Sequence, residues 1–178
     1  MAANKHTLVA LVQDKPGVLN RMASMFRRRG FNIESIAVGH SETPGLSRMT
    51  IVVNGSVAMV EQVRKQVDKV INVVKVIDIT GNKITTRELA LIKVKATSAT
   101  RSEIIEIIDI FRAKILDVAS DSVTVEITGD EDKVNSLLSL LCGFGIKEIT
   151  RTGRIAMVRG VTGLLGTDKR VAGVREKK

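Results

Sequence analysis

The stretch Thr7-Leu8-Val9-Ala10-Leu11-Val12-Gln13-Asp14-Lys15-Pro16-Gly17-Val18-Leu19 decides how the rest of the chain is read. Six residues with an apolar run from Leu8 to Val12 are too short for a helix and read as a buried strand. Asp14, Lys15, Pro16 and Gly17 then break the run. Proline suits a first helical turn, where its missing N–H costs nothing, so a helix is expected to begin at this break. Leu19, Met22, Ala23 and Phe26 follow at helical spacing. Arg27-Arg28-Arg29-Gly30 closes the helix, because cations favour the C-terminal end of the dipole and glycine favours a left-handed exit.

Working outward, Asn32 to Gly39 and Ser47 to Val53 read as strands joined by a loop carrying Thr43-Pro44-Gly45. Val60, Val63, Val67 and Val70 mark a second helix, and Val73 to Ile79 a last strand. The order is βαββαβ. It recurs about eighty residues later: strand Glu88–Val94, helix around Ile104, Ile107, Ile108 and Phe111, and strands Ile115–Ala119 and Val123–Thr128. A helix around Val134, Leu137, Leu138 and Leu141 and a strand Ile146–Thr150 complete it. The fold class is therefore α+β, with two ferredoxin-like βαββαβ domains. Their expected bounds are 4–80 and 84–160, with a polar joint at Gly81-Asn82-Lys83 and a basic tail over 161–178. Ile155-Ala156-Met157-Val158 is expected to extend the second sheet or add a strand.

The first sheet reads apolar on both faces. Leu8, Ala10 and Val12 alternate with Val9 and Leu11, and Met49, Ile51 and Val53 with Thr50 and Val52. The two helices of a βαββαβ unit cover one face, so the other must meet another sheet, another subunit or the second domain. A homodimer is expected on that ground.

Composition excludes several functions. The 178 residues hold 28 basic and 19 acidic side chains, a net charge of +9, with no Trp, no Tyr and four Phe. Base stacking needs aromatic platforms that these strands lack. Eight basic against two acidic residues past position 150 place most of the excess charge in the tail, so no nucleic-acid partner is expected. No apolar run approaches a membrane span, and the N-terminus has no secretory pattern, so a cytoplasmic protein is expected. One cysteine, Cys142, excludes an internal disulfide and a cysteine-cluster metal site; its place near Leu138 and Leu141 suggests a buried thiol. His6 and His40 have no carboxylate at a helpful local spacing, and no phosphate-cradling glycine loop occurs. No catalytic residue and no metal ligand is assigned.

The best ligand signal is the strand-to-helix turn itself. Free backbone N–H groups at the positive end of a helix dipole welcome a small anion such as a carboxylate. Gly17 lets a ligand approach the backbone closely. Asp14 suits either a ligand ammonium or the helix cap, and capping is the more ordinary use. Asn32 is expected near the same end of the domain.

Asp14-Lys15-Pro16-Gly17-Val18-Leu19, Arg28-Arg29-Gly30-Phe31-Asn32-Ile33-Glu34-Ser35 and Leu46-Ser47-Arg48-Met49-Thr50-Ile51 together resemble the regulatory (small) subunit of acetohydroxyacid synthase, also called acetolactate synthase, over roughly residues 5 to 160. The resemblance implies an N-terminal ACT domain and a second ferredoxin-like domain. It implies a non-catalytic partner of a large subunit that carries thiamine diphosphate, a divalent metal (Mg) and FAD, none of them held by this chain. That large subunit condenses two pyruvates, or pyruvate with 2-oxobutyrate, in branched-chain amino acid synthesis. The small subunit raises its activity and confers feedback inhibition, typically by valine, at ACT dimer interfaces. By motif, the effector-binding residues are Asp14, Gly17, Val18 and Leu19, with Asn32 and Ile33 from a neighbouring subunit. Arg27 to Arg29 are candidates for docking the large subunit. A stand-alone ACT-type amino acid sensor acting on another partner is the competing reading.

Overall fold

A computed structural model describes residues 5–160. Among them the chain divides into two compact units, residues 5–85 with 155–160, and residues 86–154.

The first unit carries β1 (Lys5–Gln13), α1 (Val18–Arg28), β2 (Ile33–His40), β3 (Leu46–Asn54), α2 (Val57–Asp68) and β4 (Val73–Asp78). The sheet order is β2-β3-β1-β4, antiparallel throughout, so β2 and β4 are its edges. Leu8, Ala10 and Val12 of β1 and Met49, Ile51 and Val53 of β3 point to one face, where Val18, Met22 and Phe26 of α1 and Val60, Val63 and Val67 of α2 cover them. The i, i+4 spacing of the helix residues and the period-two spacing of the strands are two halves of one apolar layer. Ser56 caps α2 by accepting from the Met59 N–H at 3.3 Å. Val70 lies two residues past the end of α2, so the helix is slightly shorter than expected.

The break after β1 differs from expectation. Pro16 and Gly17 form a turn outside the helix, which starts at Val18. Gly17 has φ +83°, a left-handed conformation that no right-handed helix contains. At the other end Gly30 leaves α1 with φ +66°, as the sequence predicts.

The second face of this sheet is covered, in part, by its own chain. Thr7, Val9 and Leu11 are as buried as their helix-facing neighbours. Val9 packs with Ile79 and Ala156, joined by Ile77, Ile84 and Val158. Ala156 and Val158 belong to β9 (Ile155–Val158), which returns to pair with the start of β5 (Ile84–Lys95). The Arg159 N–H donates to the Lys83 carbonyl at 2.8 Å and its Nε to Thr85 Oγ1 at 2.9 Å. The boundary between the compact units falls after Arg154, because Ala156 and Val158 pack with Val9 and Ile79 of the first. The expected tail over 161–178 lies outside the described residues.

The second unit contains the rest of β5, then α3 (Arg101–Ile110), β6 (Lys114–Val118), β7 (Ser122–Gly129), α4 (Glu131–Cys142) and β8 (Ile146–Arg151), in strand order β6-β7-β5-β8. Its core joins Ala90, Ile92 and Val94 to Val123, Val125 and Ile127 beneath Ile104, Ile108, Val134 and Leu137. Asp130 caps α4 through the Lys133 N–H at 2.9 Å. Here the opposite sheet face carries charge pairs beside Leu89 and Leu91, with Lys93 3.4 Å from Glu148 and Lys114 3.9 Å from Glu126 across the strands. Glu88 is a buried carboxylate, paired with Arg151, which also reaches Asn135 at 3.0 Å. Cys142 is exposed, contrary to the expected buried thiol: it follows buried Leu141 and is rotated about 100° from it on the helix.

Candidate effector site at the first strand–helix turn

The turn after β1 is held by backbone bonds from three directions. The Gln13 N–H donates to Asn72 O at 2.8 Å, the Asp14 N–H to Gly45 O at 2.8 Å and the Lys15 N–H to Gln13 O at 3.0 Å. The loop before β3 and the loop before β4 therefore fix where α1 begins. The cap residue of α1 is Gly17, with no side-chain cap, and the first turn carries no acidic residue. Among the described residues the N–H groups of Gly17, Leu19 and Asn20 have no acceptor. A carboxylate placed there meets unpaired donors and the positive end of the dipole. A Cβ added at Gly17 would meet no atom within 4 Å, so the approach to this backbone is open.

Asp14 is not the helix cap, and that reading is overturned. Its carboxylate is half exposed and stands 3.4 Å from His40 Nδ1 at the end of β2. A carboxylate facing solvent beside an anion-receptive turn leaves room for a ligand ammonium. Val18 is buried in the core, so only its backbone can serve a ligand, whereas Leu19 is 52% exposed and offers an apolar side chain beside the free amides.

Asn32 and Ile33 do not join these residues within one chain. Strand β2 runs parallel to β1, because both are antiparallel to β3. Ile33 pairs with Val53, which pairs with His6, whereas His40 pairs with Ser47, which pairs with Val12. Asn32 therefore sits at the end of the sheet opposite the turn, roughly 23 Å away along β2. The expectation of a shared end fails because α1 carries the chain back the length of the sheet before β2 starts.

Sequence reasoning missed several neighbours of the turn. Arg21, one helical turn after Gly17, donates to Asn72 Oδ1, and Asn72 Nδ2 donates to Gln13 Oε1 at 2.7 Å. Asn72 has φ +79°, a conformation asparagine tolerates better than most residues, and the Ile71-Asn72 pair in a turn was the available signal. Thr43, in the loop that holds Asp14, is buried with its hydroxyl unpartnered among the described residues. Both histidines also find carboxylates across strands, His6 lying 3.4 Å from Asp78. No group of three His, Cys, Asp or Glu that could hold a metal occurs among the described residues, and no helix there is long and apolar enough to cross a membrane.

Comparison with known proteins agrees with this architecture. Residues 8–75 match the family described as AHAS small subunit-like ACT domain, and residues 87–160 the family described as small subunit of acetolactate synthase. The chain is 56% identical to a probable acetolactate synthase small subunit of Archaeoglobus fulgidus, over 88% of this chain and 98% of that one. It is 49% identical to the acetolactate synthase small subunit of Mycobacterium bovis, over 95% of this chain and all of that one. The crystal structure of the Thermotoga maritima acetolactate synthase small subunit is similar with a TM-score of 0.82 and 44% identity, covering 89% of this chain and 99% of that one. Two βαββαβ units, the first an ACT domain with the open Gly17 turn, place this chain in the family of acetolactate synthase small subunits.

Proposed function

We propose that this chain activates an acetolactate synthase catalytic subunit and makes it sensitive to valine. The reading rests on the family and on the turn at Asp14–Leu19, with its unpaired amides beside the half-exposed Asp14 carboxylate and an exposed Leu19. Valine has the matching groups: a carboxylate for the amides, an ammonium for Asp14 and a small apolar side chain. Thiamine diphosphate, Mg and FAD belong in this reading to the catalytic partner.

With Asn32 at the opposite end of its own sheet, this reading takes the site to be composite. Strand β2 is an edge with one neighbour, β3, in its sheet. Edge strands present a free row of backbone donors and acceptors. Two copies joined by a two-fold axis pair such strands antiparallel, and a pairing centred between Ile36 and Ala37 sets the partner subunit's Ile33 against His40. The partner's Asn32 then stands beside the Asp14–Leu19 turn. Valine bound there touches both chains, and it shifts the catalytic subunit's activity only by favouring one pairing arrangement over another. Reconstitution tests the reading: added to the catalytic subunit, this chain raises acetolactate formation and valine lowers it again. A catalytic subunit indifferent to the chain would favour the stand-alone sensor.

A further inference from the structure

Arg28 and Arg29 at the end of α1, with Met25 and Gln66, line a recess of about 330 Å³ on the helical side of the first unit. Arg29 Nη2 donates to the neutral Gln66 side chain at 3.2 Å, and Arg28 Nε to the Ser24 carbonyl at 3.3 Å. Both guanidinium groups are thus oriented without being neutralised. Among the described residues neither they nor Arg27 meets a carboxylate, whereas Arg64, Arg151 and Arg154 each do. Their place at the C-terminal end of α1 suits the helix dipole, but their side chains are not needed to cap it. Backbone N–H groups of Arg29, Gly30 and Phe31 already take the carbonyls of Met25, Phe26 and Arg27.

From this arrangement we infer that the recess receives carboxylate side chains of an acidic surface on the catalytic subunit, an inference that rests on the proposed function above. Arginine forks match carboxylates in a two-point geometry. The chain's own material does not suit the place. A second copy carries +9, and residues 161–178 hold Lys169, Arg170, Arg175, Lys177 and Lys178 against Asp168 and Glu176. A net positive charge disfavours both at a cationic recess and favours an acidic external partner.

The test measures binding of the intact chain to the catalytic subunit, wild type against Arg28→Ala/Arg29→Ala and the charge-reversed Arg28→Glu/Arg29→Glu. At about 50 mM salt the alanine pair is expected to weaken apparent affinity about tenfold, the reversed pair more, and the difference should shrink at about 500 mM. Valine titration of each variant reports whether the first unit stays intact. Unchanged affinity and salt dependence in both variants, with wild-type activation present, would overturn the recess as a docking site. So would saturable heats with inorganic phosphate that vanish in the alanine pair while catalytic-subunit affinity holds, since the recess would then take a small anion. If the wild-type chain itself neither binds nor activates the catalytic subunit, the proposed function fails first and the recess inference with it.

Discussion

The Arg48 guanidinium donates a 2.8 Å hydrogen bond to the carbonyl of Ala156, 108 residues later in the chain. Arg48 sits on β3 on the face turned away from the helices, and burial lowers its pKa from the ordinary value while Glu42 pulls it back up. An arginine stays charged even so, and its bond holds β9 down over Val9.

Arg48→Ala should therefore loosen that strand rather than the helical core. Hydrogen bonds from charged groups contribute about 1.5–3 kcal/mol, and a loss in that range is expected in urea unfolding. Hydrogen exchange should show faster exchange at Ala156 and Arg159 and little change in α2. Uniform acceleration across the first unit would contradict a local fastening.

Gly17→Ala separates conformation from space. There is room for the methyl group, so its cost is the left-handed backbone alone, about 1–2 kcal/mol. The same variant should weaken valine binding, because relaxing φ toward the helical region turns the free amides. Denaturation and calorimetry on one sample check both parts.

Arg151→Ala leaves the buried Glu88 carboxylate without its partner. Breaking such a pair costs about 3–5 kcal/mol, whereas replacing both by apolar residues of similar size is often neutral. Since Arg151 is a third exposed, the lower end is expected, and Glu88→Leu/Arg151→Met should recover most of it. A single variant as stable as wild type in urea would remove Glu88 from the account of the second core.

Acid unfolding should report the paired carboxylates. The hydrogen bond from Arg64 lowers the Glu61 pKa from 4.5 to about 2, and that from Lys147 lowers Asp121. A depressed folded-state value means stability present above the unfolded pKa and lost as pH falls through the folded one. For Glu61 that window runs from about 4.5 down to about 2. Glu61→Gln should flatten the pH dependence of circular dichroism there, by a small amount because the pair is exposed.

Much of this was legible in the sequence, for reasons that differ by element. Periodicity sufficed for Leu8, Ala10 and Val12 against Val60, Val63 and Val67, because burial on one face imposes a local pattern. It also marked Ile155–Val158 as a strand. Its return to the first unit was not legible, since an apolar strand carries no address. The two-sided apolar pattern of β1 was a true signal of cover, and part of that cover is β9. Asp14 and Gly17 stand at the turn that the sequence marked, because a turn is local. Asn72 and His40 were not legible, because the chain returns to the turn from far along the sequence, and Arg21 gained its role only through Asn72. The placement of Asn32 needed the sheet direction, which the spacing from Gly30 does not contain.

The central claim, a site shared between two chains, is tested by mixing two defective variants. Gly17→Asp spoils the turn and Asn32→Ala spoils the partner's contribution, so neither homodimer should bind valine. In a mixed dimer one site carries both defects and the other carries none. Random pairing of equal amounts should restore valine heats at about a quarter of the sites. No restored binding after subunit exchange, confirmed by isolating the mixed dimer, would contradict the account and place the site within one chain.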